Sequence, residues 1–346
     1  MDKVVLFAVA GSGKTSKIIN DLDVTEKSLI LTYTENNTTN LKNRIRFKFG
    51  HIPENITILT YFTFLHSFCY KPFLSDLMKT KGINFNPPPS MTLRFKRTDR
   101  AFYVDKQQYL YHNRIAKLLE AANVLGDVNN RLSKYFTRLY IDEIQDFGGH
   151  DFTLLTNILK ADLKILLVGD FYQYTFDTSR DGKTNSSLHD DFKKYKKTFE
   201  NNGATIDTNS LEKSHRCSPS VCDFITNHLG IHISSHRSDT TKVEFISDKE
   251  AVREILNNPD TVKLFYQSHQ KYDCNSNNWG ATKGEDHYLD VCVVLNPTTL
   301  KLFEQGKLSD LPSKTKNKLY VACSRAKGNL YFVPESHAKL SHMKKN

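Results

Sequence analysis

A short apolar strand, Val4-Val5-Leu6-Phe7, runs directly into Ala8-Val9-Ala10-Gly11-Ser12-Gly13-Lys14-Thr15, and a helix with apolar spacing (Ile18, Ile19, Leu22) follows. Strand, glycine-bearing turn and helix in that order restrict the chain to folds in which a sheet delivers a loop onto a phosphate. Gly11 and Gly13 let successive backbone N–H groups turn inward. Lys14 brings positive charge for the β- and γ-phosphates, and Thr15 offers a hydroxyl to Mg²⁺ as the helix starts. The first position of the pattern, ordinarily glycine, is Ala8. The competing reading is a plain Gly/Ser-rich turn, which the coincidence of strand, turn and helix disfavours; taken alone, the loop suits kinases, GTPases and many motors.

Further strands are expected at Leu29 to Thr34, Ile56 to Leu59, Leu139 to Ile141 and Ile165 to Val168, with the first extending from Val4 to Val9. Segments with helical apolar spacing, such as Leu41, Ile45 and Phe49, lie between them. This alternation implies an α/β fold with a parallel sheet wrapped by helices. After about residue 205 a second set follows, at Val243 to Ile246, Val262 to Phe265, Val291 to Leu295 and Leu330 to Val333. Two tandem α/β domains, 1–205 and 206–346, are therefore expected. A stretch from about Cys69 to Lys134 interrupts the first as an inserted subdomain, with Pro87-Pro88-Pro89, the basic run Arg94-Phe95-Lys96-Arg97 and a helix expected from Gln107 to Leu119.

The 346 residues are enough for two cores. With 48 Lys and Arg against 38 Asp and Glu, the formal charge of +10 favours a polyanionic partner without identifying one. No apolar run is long enough to span a bilayer, and Met1-Asp2-Lys3 leading into a strand lacks the features of a signal peptide, so a cytoplasmic protein without membrane contact is expected. Cys69, Cys217, Cys222, Cys274, Cys292 and Cys323 are scattered with no CxxC pair; reduced structural thiols are expected, not a zinc site or a disulfide framework.

Leu139-Tyr140-Ile141-Asp142-Glu143-Ile144-Gln145-Asp146 places acidic residues at the end of an apolar strand, where such a sheet presents its ligand site. Asp142 is suited to hold Mg²⁺ through water, and Glu143 to orient or deprotonate an attacking water. The next strand ends in Gly169-Asp170-Phe171-Tyr172-Gln173, where Gln173 is placed to contact a γ-phosphate. Arg216 and Arg325 lie far away in Leu211-Glu212-Lys213-Ser214-His215-Arg216-Cys217 and Tyr320-Val321-Ala322-Cys323-Ser324-Arg325-Ala326. Phosphoryl transfer rewards such guanidiniums by about 10³ to 10⁵ in rate.

In this order, and with Leu31-Thr32-Tyr33-Thr34, Arg44-Ile45, Thr63-Phe64-Leu65-His66-Ser67-Phe68 and Thr282-Lys283-Gly284, the segments resemble superfamily 1 DNA helicases of the UvrD/Rep type over residues 8 to 326. The resemblance implies two tandem RecA-like domains with an ATP site in the inter-domain cleft, the second domain supplying arginine fingers. It implies that Ala8 to Thr15 bind nucleotide, that Thr15 and Asp142 serve Mg²⁺, and that Lys14, Glu143, Gln173, Arg216 and Arg325 act on the phosphates and water. Arg44 and His215 fall near the adenine, His215 replacing the family's stacking tyrosine. Thr34, Phe64, His66 and Lys283 fall in segments that line a single-strand path, for which a basic groove with aromatic platforms is the physical requirement.

The chain departs from the family in several places. Glu35 stands where asparagine is common, bringing a carboxylate beside a phosphate backbone. The aromatic wedge after Gln173 falls to Phe176, with Arg180 following and Thr178 at the tryptophan position. Lys283-Gly284-Glu285-Asp286-His287 lacks the usual apolar residues, leaving Glu285 or Asp286 for the ribose, with Asp286 favoured. No adenine-reading glutamine segment is expected before the loop, no room for the large insertion of the second domain between Arg216 and Lys283, and no nuclease domain after Arg325. The expected function is an ATP-dependent helicase or translocase moving 3′ to 5′ on single-stranded DNA. The alternative is a nucleotide-gated ATPase subunit that licenses or loads a separate partner nuclease. A small-molecule kinase accounts for the loop but not for the acidic strand end or the two arginines.

Overall fold

The structure, a computed structural model, describes residues 2–175 and 183–342. The chain divides into two compact units. The first comprises residues 1–7, 14–169 and 177–207; the second comprises 8–13, 170–176 and 208–346.

The first unit is built on strands β1 (Lys3–Phe7), β2 (Ser28–Thr32) and β3 (Ile56–Thr60). A small parallel pair follows, β4 (Gly82–Asn84) with β5 (Tyr109–Tyr111), then β6 (Arg138–Ile141), β7 (Lys164–Gly169) and β8 (Thr205–Asp207). The main sheet has six strands in the order β3-β2-β6-β7-β1-β8, every neighbouring pair parallel. All five residues of β2 are buried, as a central strand covered on both faces requires. The strand expected to reach Val9 ends at Phe7, where the chain turns into the glycine loop. The one expected to reach Thr34 ends at Thr32, because Thr34 caps the helix Glu35–Phe49 by accepting from Asn37 N at 3.2 Å.

The helix expected from Gln107 to Leu119 is corrected. Tyr109–Tyr111 is strand, and the helix spans Ile115–Ala121. The carboxylate of Asp105 accepts from the backbone of Gln107 and Tyr109, each at 2.9 Å, and Gln108 adopts φ +74°. That turn satisfies the amides a helix would have used and folds Leu110 back against Val104.

The second unit carries a two-residue parallel ribbon, β9 (Lys213–Ser214) with β10 (Ser234–Ser235). Its main sheet contains β11 (Val243–Phe245), β12 (Thr261–Phe265), β13 (Ser276–Asn278), β14 (Asp290–Leu295) and β15 (Leu330–Pro334). These run in the order β11-β15-β14-β12-β13, again all parallel. The alternation along β14 divides its side chains between two cores. Val291, Val293 and Leu295 pack with Trp279, Leu319 and Phe332 on one face. Cys292 and Val294 pack with Val252, Leu256 and Tyr272 on the other.

Candidate nucleotide site

In the first unit, β1, β7 and β6 end side by side, with Phe7 in register with Gly169 and Ile141 in register with Leu167. The helix Lys14–Asp21 presents Lys14 and Thr15 in its first turn. Asp142 follows β6 directly. Its buried carboxylate accepts from Thr15 Oγ1 at 3.3 Å and from Glu143 N at 2.9 Å. Burial and the neighbouring Glu143 charge push the Asp142 carboxyl up to about 7, against the pull of Lys14. A hydroxyl and a buried carboxylate converging in this way suit a hard divalent cation that takes its remaining oxygens from phosphate and water.

Glu143 sits at φ +59°, a left-handed conformation that costs a side-chain-bearing residue on the order of 1 kcal/mol or more. Its Oε2 accepts from the Gln145 side-chain amide. The end of β7 passes so close that a Cβ on Gly169 would lie 2.5 Å from Gln145 Oε1 and 2.6 Å from Ile144 Cγ1. Glycine at 169 is what leaves room for this turn.

The loop Ala8–Gly13 packs as part of the second unit. Val9 N donates to Leu211 O at 3.0 Å, Ala10 N to the Tyr320 hydroxyl at 2.8 Å, and His215 N to Gly11 O at 2.9 Å. Ser12 Oγ closes the turn onto Val9 O at 2.8 Å. Gly11 and Gly13 take φ +70° and +90°. A Cβ on Gly11 would meet Arg216 Cβ at 2.7 Å and Ser214 Oγ at 2.8 Å, so both backbone freedom and lack of bulk are used there.

Arg216 donates Nε to Asp286 Oδ1 at 2.7 Å and Nη1 to Ser324 O at 3.1 Å. Arg325 is buried, donating to Val321 O at 3.2 Å and Glu285 O at 2.8 Å. Burial and then the like charge of Arg216 push the Arg325 guanidinium down to about 10, so it stays protonated at neutral pH. Burial tends to raise the Asp286 carboxyl, but Arg216 and Lys327 outweigh it and hold it below the usual range. Asp286, expected at a ribose, pairs here with Arg216. Gln173 is buried in a short turn, Phe171–Gln173, capped by Asp170 accepting from Tyr172 N at 3.1 Å.

Arg44 reaches from the helix Glu35–Phe49 to donate to Ser16 Oγ at 2.6 Å, one residue beyond Thr15. His215 is exposed, with its ring stacked on that of His236. Of the residues assigned to a single-strand path, Thr34 is exposed and His66 half-buried, with burial and Lys71 holding the His66 imidazole below its ordinary range. His66 lines a cavity of about 500 Å³ with Tyr33, Glu35, Thr60, Phe62 and Phe85. Phe64 is corrected: it is fully buried and stacked on Phe68 at 5.4 Å, because its turn presents Thr63 and Ser67 outward instead. Lys283 is half-buried at the end of a short turn before Gly284 at φ +85°. Phe176, Thr178 and Arg180 lie outside the described residues.

Sequence reasoning missed Tyr320, Asp170, Gln145 and His236. Tyr320 lies within a segment already singled out, but a tyrosine at that spacing reads as core. His236 follows a two-residue strand that no periodicity announces. Among the described residues no helix is long and apolar enough to cross a membrane.

No protein-family model matches the chain, and no curated protein matches it. Among solved structures it is similar to arterivirus nonstructural protein 10, a helicase, in complex with DNA. The TM-score is 0.52 at 14% identity, covering 96% of this chain and 60% of that one. A crystal structure of arterivirus nonstructural protein 10 gives a TM-score of 0.50 at 15% identity, covering 96% and 59%. The chain spans about 60% of the length of these helicases. At such identities the likeness is one of fold: α/β with large parallel sheets, consistent with tandem RecA-like domains.

Proposed function

We propose that the chain is a motor of the UvrD/Rep type that hydrolyses ATP, with Mg²⁺, to move 3′ to 5′ on single-stranded DNA. The observation that carries this reading is the meeting of Thr15 Oγ1 and Asp142 Oδ2 at 3.3 Å, with Glu143 next in the chain, in a helicase fold. Lys14 binds the β- and γ-phosphates. Thr15 and Asp142 are the groups that would hold Mg²⁺, which when bound neutralises charge on the phosphate oxygens.

Glu143, oriented by the Gln145 amide, positions the attacking water and accepts its proton as ADP and phosphate form. Gln173, Arg216 and Arg325 answer the charge of the γ-phosphate, and Arg44 and His215 face the base. The strand runs past Thr34 and the aromatic cavity of Tyr33, Phe62 and His66, and Lys283 serves as a further contact to nucleic acid. The arterivirus helicase was solved with DNA, which supports nucleic acid as the ligand class.

The test is the ATPase rate with single-stranded DNA, single-stranded RNA, duplex or no nucleic acid, across salt. Stimulation by single-stranded DNA that falls steeply as salt rises is expected. Multi-turnover displacement on tailed duplexes separates a motor from a gating subunit of a nuclease; undiminished stimulated turnover in Lys14→Ala overturns both.

A further inference from the structure

The ribbon β9–β10 pairs Ser214 with Ser235, so the next residues, His215 and His236, project together. Their rings lie face to face, with centroids 4.0 Å apart and planes 7° from parallel. His236 N donates to Ser214 O at 2.8 Å, and His215 N donates to Gly11 O at 2.9 Å, so the pair is tied by backbone to the glycine loop. Both side chains are exposed, and neither belongs to a hydrophobic core. Loss of some hydration against its neighbours, then the charges of His215 and Lys213, hold the His236 imidazole below its ordinary range.

An exposed parallel pair of imidazoles anchored beside a phosphate loop is a flat, preformed π surface. A single imidazole offers a base a small area and rotates freely. A second ring behind it restores rigidity, and a purine gains more from such a surface than a pyrimidine. We propose that His236 is a positioning residue that backs His215, so that the two rings form a layered platform for the purine base of the nucleotide. The proposal rests on the assignment of this loop to nucleotide binding.

Binding of ADP and UDP to the full chain, measured by calorimetry, tests it without reference to hydrolysis. His236→Ala is expected to weaken ADP by about two- to tenfold, the range of one aromatic stacking contact, and UDP by less. His236→Phe is expected to restore the ADP affinity. In steady-state assays KM for ATP rises in His236→Ala while kcat stays within about twofold, as for lost uniform binding. Unchanged ADP affinity in His236→Ala, or an equal loss for ADP and UDP that His236→Phe does not recover, overturns the proposal. Tight, purine-selective binding without hydrolysis would instead retain the platform and refute the motor.

Discussion

The backbone N–H of Ala10 donates to the hydroxyl of Tyr320 at 2.8 Å, across 310 residues of sequence. That hydroxyl donates in turn to Asp170 Oδ2 at 2.9 Å, and Tyr320 is fully buried. One side chain thus holds an amide of the glycine loop and the residue that caps the Gln173 turn.

Tyr320→Phe keeps the ring and deletes this link. A buried amide and a buried carboxylate each lose a partner, so a loss of about 1–3 kcal/mol in stability is expected in denaturant unfolding. KM for ATP is expected to rise several-fold in the folded variant, as its loop loses a fixed point. A variant as stable and as tight for ATP as the parent contradicts the role given to the hydroxyl.

Gly169→Ala places a methyl where Gln145 and Ile144 already sit. The turn that orients Glu143 must shift, and displacements near 1 Å at such a site cost about 10²-fold in rate. A fall in kcat of at least tenfold with the overall fold intact by circular dichroism is expected. Unaltered kcat shows that Gln145 does not position Glu143.

Arg216→Ala and Arg325→Ala are expected to lower kcat by about 10² to 10⁴, with KM for ATP changed by less than about threefold. Arg325 is buried, so its variant also loses thermal stability, whereas the less deeply buried Arg216 variant loses less. Comparing the melting temperatures separates chemistry from folding. Equal losses of kcat and of ATP affinity contradict a role confined to developing charge.

Phe62→Ala removes a ring that lines the aromatic cavity and packs edge-on to Phe85 at 5.3 Å. Base stacking is worth about 1–3 kcal/mol, so a loss of single-strand affinity of about 5- to 150-fold is expected, with little change in the ATPase rate without DNA. Fluorescence anisotropy with a labelled oligonucleotide measures it.

The long apolar strands were legible because burial on both faces writes a continuous hydrophobic run, as in Leu29 to Leu31 or Val291 to Leu295. The strands Thr205–Asp207 and Ser276–Asn278 were not, since as edge strands they are short, polar and only partly buried. Lys14 and Thr15 could be named because they start the helix that follows β1, and Asp142 and Glu143 because they directly follow β6, so that the ends of two strands of one sheet place all four. The partners of Arg216 and Arg325 could not, because Asp286, Ser324 O and Glu285 O meet them through turns whose geometry no spacing encodes. Phe64 misled for a related reason: an aromatic in a turn that mixes apolar residues with His66 and Ser67 reads equally as platform or as core.

The most direct measurement is the single-strand-stimulated ATPase of Glu143→Gln beside the parent, with ATP affinity recorded for both. Turnover is expected to fall by at least about 10²-fold while ATP still binds, because the substitution removes the group proposed to accept the water's proton and keeps its shape. Turnover within a few-fold of the parent contradicts it.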